Sequence, residues 1–221
     1  MEETKTRILD AAERLLSERG FSGTSLRGIT ALAGVNLGAV NYHFRSKKGL
    51  IHAVFTRRMQ PISQERLAAL DACEAEAGGK PVPLEQLLQA FFHPVLKLGR
   101  EGETFIRLLG RMYTEPTLDL QRIFGSELEE VVQRFLGAFS RTLPDLDRAD
   151  LFWRLFFIIG AMAQVLAAGS ILRFLSGGIC DPKDMNDVEE RLVRFASAGL
   201  SAPPIKSVAD QCGAAGPILE A

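Results

Sequence analysis

Cysteine, histidine and tryptophan are scarce in this 221-residue chain, with three, three and one copies, and each scarcity removes a class of protein. Cys73, Cys180 and Cys212 stand far apart with no C-x-x-C pair, so they build neither a disulfide scaffold nor a zinc finger, and a reducing cytoplasm is the expected compartment. His43, His52 and His93 give no H-E-x-x-H and no recognisable Ser/His/Asp set, and there is no Walker loop or G-x-G-x-x-G. An enzyme is therefore poorly supported, and neither a cofactor nor a metal is expected. Only 20 Gly and 10 Pro, beside 47% apolar and 24% charged residues, exclude a collagen-like or wholly disordered chain. The opening Met-Glu-Glu-Thr-Lys-Thr-Arg lacks the basic-then-apolar order of a signal peptide. No alternation of strand period appears, so the fold expected is all-α with about nine helices.

The most informative absence is of negative charge. No Asp or Glu occurs between Glu18 and Glu65, whereas Arg19, Arg27, Arg45, Lys47, Lys48, Arg57 and Arg58 do. Residues 1–60 hold ten Lys or Arg against five Asp or Glu, so the overall net charge of −1 conceals a basic first quarter. A solvated basic face and a nucleic-acid surface are equally compatible with charge alone.

Spacing separates them. Ile8, Ala12, Leu15 and Leu16 recur at helical period, and Gly20 is placed to end that first helix at Arg19. Thr24 or Ser25 can cap a second helix carrying Leu26, Ile29 and Leu32 inward, closed by Gly34. Asn36 can cap a third, with Val40 and Phe44 on one side; Ser46 opens a fourth, whose stripe meets a break or kink at Pro61. A domain boundary is expected near residue 50: a DNA-binding unit over 1–50, a larger helical unit over 51–200, and a mobile tail over 201–221.

Two short helices joined by a Gly-containing turn, in an acid-free basic segment, are the layout that places a helix end in the DNA major groove. Lys47 and Lys48 sit in a helix's first turn, where the dipole disfavours cations by roughly 0.3 to 1 kcal/mol each; a phosphate would reverse that sign. Gly38 costs about 1 kcal/mol relative to Ala in a helix, but permits close approach. Asn41 suits a bidentate contact to adenine, Leu37 and Ala39 suit thymine methyls, and Tyr42 and Thr24 suit phosphate oxygens. Ser25, Arg27 and Asn36 join this candidate surface, as does His43, although packing on the fourth helix suits His43 better than base reading.

The run Thr24-Ser25-Leu26-Arg27-Gly28-Ile29, then Ala33-Gly34-Val35, then Gly38-Ala39-Val40-Asn41-Tyr42-His43-Phe44-Arg45-Ser46-Lys47, resembles the DNA-binding domain of TetR-family transcriptional regulators. The resemblance covers about residues 6–55. It implies a helix-turn-helix, a homodimer on a pseudo-palindromic duplex, and backbone contacts from the Tyr-x-Phe-x-x-Lys end. Gly28 and Asn36 depart from the family's usual residues, which puts the base preference in doubt and leaves the fold untouched.

The larger segment is richer in big apolar side chains. Leu155 to Leu172 is an eighteen-residue stretch without charge, and burial in a core suits its Gly160, Ala161, Ala163, Gln164, Ala167 and Gly169 better than a membrane span. A final helix is expected to turn Val188, Leu192, Phe195 and Ala196 inward. Phe91, Phe92, Val95, Phe105, Leu108, Leu109, Met112, Phe135, Phe139, Trp153, Phe156 and Met162 can be plain core or can enclose an elongated apolar cavity. Phe105-Ile106-Arg107-Leu108-Leu109-Gly110-Arg111 and Leu151-Phe152-Trp153-Arg154 are similar to PsrA-type regulators that respond to long-chain fatty acids. That resemblance implies a small hydrophobic effector, a fatty acid or acyl-CoA, with Arg107 or Arg111 at its head group and repression released on binding. The TetR-family resemblance implies, in addition, that the last two large helices pair between copies.

Overall fold

The computed structural model describes residues 2–101, 104–105, 108 and 120–204, and eight α-helices account for most of them. They are α1 (Glu2–Gly23), α2 (Leu26–Ala33), α3 (Leu37–Phe44), α4 (Lys47–Ala77), α5 (Leu84–Glu101), α6 (Leu120–Thr142), α7 (Arg148–Leu175) and α8 (Met185–Ser201). The all-α expectation holds, and no strand occurs among the described residues. The sequence also predicts a short helix over 105–113, which, like the tail beyond Pro204, falls largely or wholly outside the described residues.

Side-chain caps define the short helices. Ser25 accepts from the Gly28 N–H, Asn36 from Ala39 and Ser46 from Gly49, each satisfying one orphan donor of a first turn and contributing about 1 kcal/mol. Gly34 takes φ 64°, ψ 39° at the end of α2, and the N–H groups of Gly34 and Val35 return to Ala31 and Thr30 carbonyls. α1 does not simply stop at Arg19. Its helical span resumes to Gly23 after a break at Gly20, whose φ of 74° and ψ of 179° suit only a residue without Cβ.

Ile8, Ala12 and Leu16 of α1, Ile29 of α2, Val40 of α3 and Leu50, Val54 and Phe55 of α4 form the core of the first three-helix unit. α4 then runs unbroken through Pro61 to Ala77 and packs on α5 and α6 as well as on α1. α5 lies against α8, and α7 also rests on α8. Three inward assignments are corrected. Leu32 of α2 and Phe195 of α8 are exposed, because each lies round its helix from the buried neighbours Ile29 and Ala33, or Leu192 and Ala196. Among the described residues α7 is not buried: only 17% of its most apolar stretch is covered, because α8, its main packing partner there, takes one side. Length and composition alone would allow α7 to cross a membrane.

Ion pairs hold the frame. Glu13 of α1, with 5% of its side chain exposed, accepts from Arg57 at 2.5 Å and from Arg58 at 2.9 Å, and Arg57 also reaches Asp10. Arg134 of α6 reaches Asp71 and Glu74, and Arg141 also reaches Glu74, fixing α6 along the end of α4. Hydrogen bonding to Asp71, with a further bond to Glu74, raises the pKa of the Arg134 guanidinium above its ordinary value. Arg154 of α7, its side chain 10% exposed, donates to the carbonyls of Gly199, Leu200, Ala202 and Pro203 and pairs with Asp150. It thereby satisfies the free carbonyl end of α8.

Replacing Glu13 by Gln removes the charge that Arg57 and Arg58 share. The expected loss is about 2 to 3 kcal/mol of unfolding free energy, read as a lower urea midpoint at unchanged slope. An unaltered midpoint would mean that water serves the two guanidinium groups equally well.

Candidate nucleic-acid interface

The outer surface of α2 and α3 gathers most of the residues marked in the sequence. Ser25, Arg27, Asn36, Leu37, Gly38, Asn41, Tyr42 and Lys48 are exposed, Tyr42 at 72%, and Ala39, His43 and Lys47 are half-buried. Val40 and Phe44, on the opposite side of α3, are buried against the unit's core. α3 thus presents Leu37, Gly38, Asn41 and Tyr42 together on its solvent side. The Tyr42 ring meets His43 edge-on at 5.1 Å, and His43 in turn lies 5.9 Å from Phe44.

Thr24 is the first correction. It is buried, and its hydroxyl lies 3.0 Å from the Leu15 carbonyl and 2.7 Å from that of Gly20, so the single O–H is committed to the end of α1 and not to a phosphate. Asn36 and Ser25 are second: each uses its side-chain oxygen as a helix cap, leaving at most the remaining donor or lone pair for a ligand. Lys47 has an internal partner as well: its ammonium donates to the Phe21 carbonyl at 2.6 Å, a structural reason for a cation in this first turn, and keeps two further N–H donors. Gly38 too has an internal reason, since a Cβ there would stand 3.1 Å from the capping Asn36 Oδ1.

The acid-free stretch is also less free in space than along the chain. Arg57 and Arg58 face Glu13 and Asp10 on α1, so they balance charge within the fold. The exposed cations near α3 are Arg27, Arg45 and Lys48. Arg45 follows α3 with φ 63° and ψ −34°, a costly backbone for a residue bearing a Cβ. Two bonds hold it there: its N–H reaches the Asn41 carbonyl, and the Ser46 N–H reaches that of Phe44 at 2.7 Å. Gly49 completes the junction, because any Cβ at that position would collide with the Phe44 carbonyl oxygen.

This arrangement, two short capped helices around a left-handed glycine, is a helix-turn-helix. A family model described as bacterial regulatory proteins of the tetR family matches residues 8–54, and one described as Tetracyclin repressor-like C-terminal domain matches residues 89–199. The chain belongs to the TetR family. Among TetR-type relatives, the HTH-type transcriptional regulator TtgR of Pseudomonas putida is 35% identical over 95 residues, which are 43% of this chain and 44% of TtgR. The chain thus spans less than half the length of that relative. A solved tetR-type transcription regulator from Shewanella sp. PV-4 superposes with a TM-score of 0.62 at 17% identity, covering 87% of this chain and 97% of the other. FadR of Bacillus subtilis, solved in complex with stearoyl-CoA, gives 0.55 at 14% identity over 88% and 98%. These two likenesses establish the TetR fold, and the family models do not divide the family further toward PsrA-type members.

The residues marked for a ligand separate into three groups. Phe92, Val95, Phe105, Leu108, Phe135, Phe139 and Met162 are buried, and Phe91 is half-buried with its ring 5.2 Å from Phe135 and 5.7 Å from Phe92. Phe105 meets Phe55 of α4. Trp153 and Phe156 instead stand on the open side of α7, Phe156 at 67% exposure, because they lie across the helix from the buried Leu151, Ile158 and Met162. Arg107, Leu109, Arg111 and Met112 lie outside the described residues.

Gly49→Ala is expected to force the α3–α4 junction apart and to lower the melting temperature by several degrees, roughly 1 to 3 kcal/mol for a backbone clash of this kind. Scanning calorimetry that finds wild-type melting would show that the Phe44 carbonyl moves aside without cost.

Proposed function

We propose that this TetR-family chain is a homodimeric, DNA-binding transcriptional regulator, a cytoplasmic repressor that a small hydrophobic effector releases from a pseudo-palindromic duplex. The observation that carries the reading is the solvent side of α3, where Leu37, Gly38, Asn41 and Tyr42 are displayed together beside the exposed cations Arg27, Arg45 and Lys48. Asn41 offers the paired donor and acceptor that match adenine, while the cations and Tyr42 meet phosphates. Residues 1–50 serve recognition and 51–200 serve effector binding and dimerisation. Regulation and not catalysis is the business of the family to which the models assign it.

The partner for α7 is a second copy. Trp153, Phe156, Phe157, Ile171, Phe174 and Leu175 form an apolar stripe on the side away from the buried face, with Gly160 and Ala167 between them. A stripe of this extent on a soluble chain marks an interface, and a two-fold axis would set two α3 helices about one duplex turn apart. Trp153 and Phe156 therefore belong to the dimer face and not to the effector site.

For the effector, the Phe91, Phe92, Phe135 and Phe139 cluster between α5 and α6 is the apolar site, with Arg107 or Arg111 at a carboxylate or thioester head. The stearoyl-CoA held by FadR, which shares the fold, supports an acyl chain as the first ligand class to try. A second reading, DNA binding without effector control, is favoured by the direct ring contacts inside that cluster, which fill the space as a plain core would.

Selection of bound duplexes from a random pool, repeated with long-chain acyl compounds, tests the whole reading: one symmetric motif should emerge and fade as acyl compound is added. Asn41→Ala should relax the preference at one base position in each half-site, by about 1 to 3 kcal/mol of discrimination, and an unaltered motif would remove Asn41 from base reading. Sedimentation of Phe156→Glu should yield monomers, whereas a persisting dimer would place the interface elsewhere. A melting temperature indifferent to acyl compounds would favour the second reading.

A further inference from the structure

We infer that Arg45 is a phosphate-contacting residue placed in a turn whose geometry favours glycine, so that the arginine lowers the stability of the free protein and strengthens its hold on a duplex. The inference rests on the DNA-binding reading above and deepens it, by separating what the fold asks of this position from what the partner asks.

The junction of α3 and α4 dictates the backbone. The Ser46 N–H donates to the Phe44 carbonyl two residues back at 2.7 Å, which closes a γ-turn with Arg45 at its centre. At φ 63° and ψ −34° Arg45 takes the strained form of that turn, with positive φ, where a Cβ is crowded. Neither neighbour is free to relax it. Phe44 is buried in the core of the three-helix unit, and Ser46 caps α4 by accepting from the Gly49 N–H. Conformations of this kind persist only where the surroundings over-determine them, and glycine would adopt the same turn without the crowding.

The fold supplies no reason for a cation here. Arg45 is exposed, and among the described residues its side chain makes no hydrogen bond or ion pair. The helix ends offset one another as well: a positive charge is favoured at the C-terminus of α3 and disfavoured at the N-terminus of α4, which begins two residues later. Position along α3 identifies the external partner. With eight residues α3 is about 12 Å long, close to the width of the major groove, so when Gly38 and Asn41 face base edges Arg45 is left at the groove wall, against phosphate. Its guanidinium offers a fork of N–H donors that matches two phosphate oxygens.

The test compares full-chain variants on the duplex recovered by selection from a random pool and on a mixed-sequence duplex. Arg45→Gly relieves the turn and removes the charge. Its melting temperature should rise by about 2 to 4 °C. Binding to both duplexes should weaken by a similar factor, and the slope of log affinity against log salt should flatten by about 0.9 per subunit, or about 1.8 for a dimer. Arg45→Ala keeps the crowded Cβ, so it should reproduce the salt effect without the gain in melting temperature. Arg45→Lys keeps both Cβ and charge and should retain the wild-type slope.

Each half can fail by itself. An Arg45→Gly protein that melts no higher than Arg45→Ala removes the conflict with the fold, and an unchanged salt slope in both removes the phosphate contact. A loss confined to the selected duplex makes Arg45 a base reader, and a flattened slope in Arg45→Lys shows that charge is not the cause. Any one of these results refutes the inference. If wild type binds no duplex at low ionic strength, the DNA reading fails and takes this inference with it, whereas duplex binding indifferent to Arg45 refutes the inference alone.

Discussion

The carboxylate of Glu13 is the interaction on which the arrangement of this chain turns. It is nearly inaccessible to water, and it accepts from two guanidinium groups on α4. Burying a carboxylate is tolerable only where such partners surround it, so α1 and α4 are locked at one relative position and the three-helix unit is fixed on the long helix that follows. The same contact decides which cations remain for a polyanion. Arg57 and Arg58 are turned toward Glu13 of α1, while Arg19, Arg27, Arg45 and Lys48 remain exposed. A fold contact thus shapes the electrostatics of the proposed surface.

α7 presents the complementary problem. Its inner side is satisfied by Leu151, Ile158 and Met162, and its outer side displays aromatic and aliphatic groups that a lone chain leaves in water. Arg154, set between the two sides, occupies its guanidinium with the last carbonyls of α8 and with Asp150. The pair of helices is consequently presented as one preformed platform, which reduces the ordering cost of association.

Local chemistry was the legible part of the sequence. Ser25, Asn36 and Ser46 cap where their residue types and positions place them, Gly34 adopts the left-handed turn, and the helical periods place the second, third and fourth helices within a few residues of where they begin. What escaped reading depends on partners distant along the chain. A window around Lys47 contains nothing of Phe21, one around Arg57 nothing of Glu13, and the positive φ of Arg45 carries no residue signature because glycine is not there. Periodicity also identifies an apolar face without telling whether its cover comes from the same chain. Period alone therefore places α7 in a core and groups Trp153 and Phe156 with cavity residues, although both face outward.

The uninterrupted course of α4 has a mechanical meaning. With 31 residues it is a rod about 46 Å long at 1.5 Å of rise per residue. Pivoted near one end, such a rod needs a swing of only about 5° to carry its far tip by about 4 Å, a displacement comparable to one base-pair step of the duplex. Small rearrangements beside Asp71 and Glu74 are therefore geometrically amplified before they arrive at Ser46.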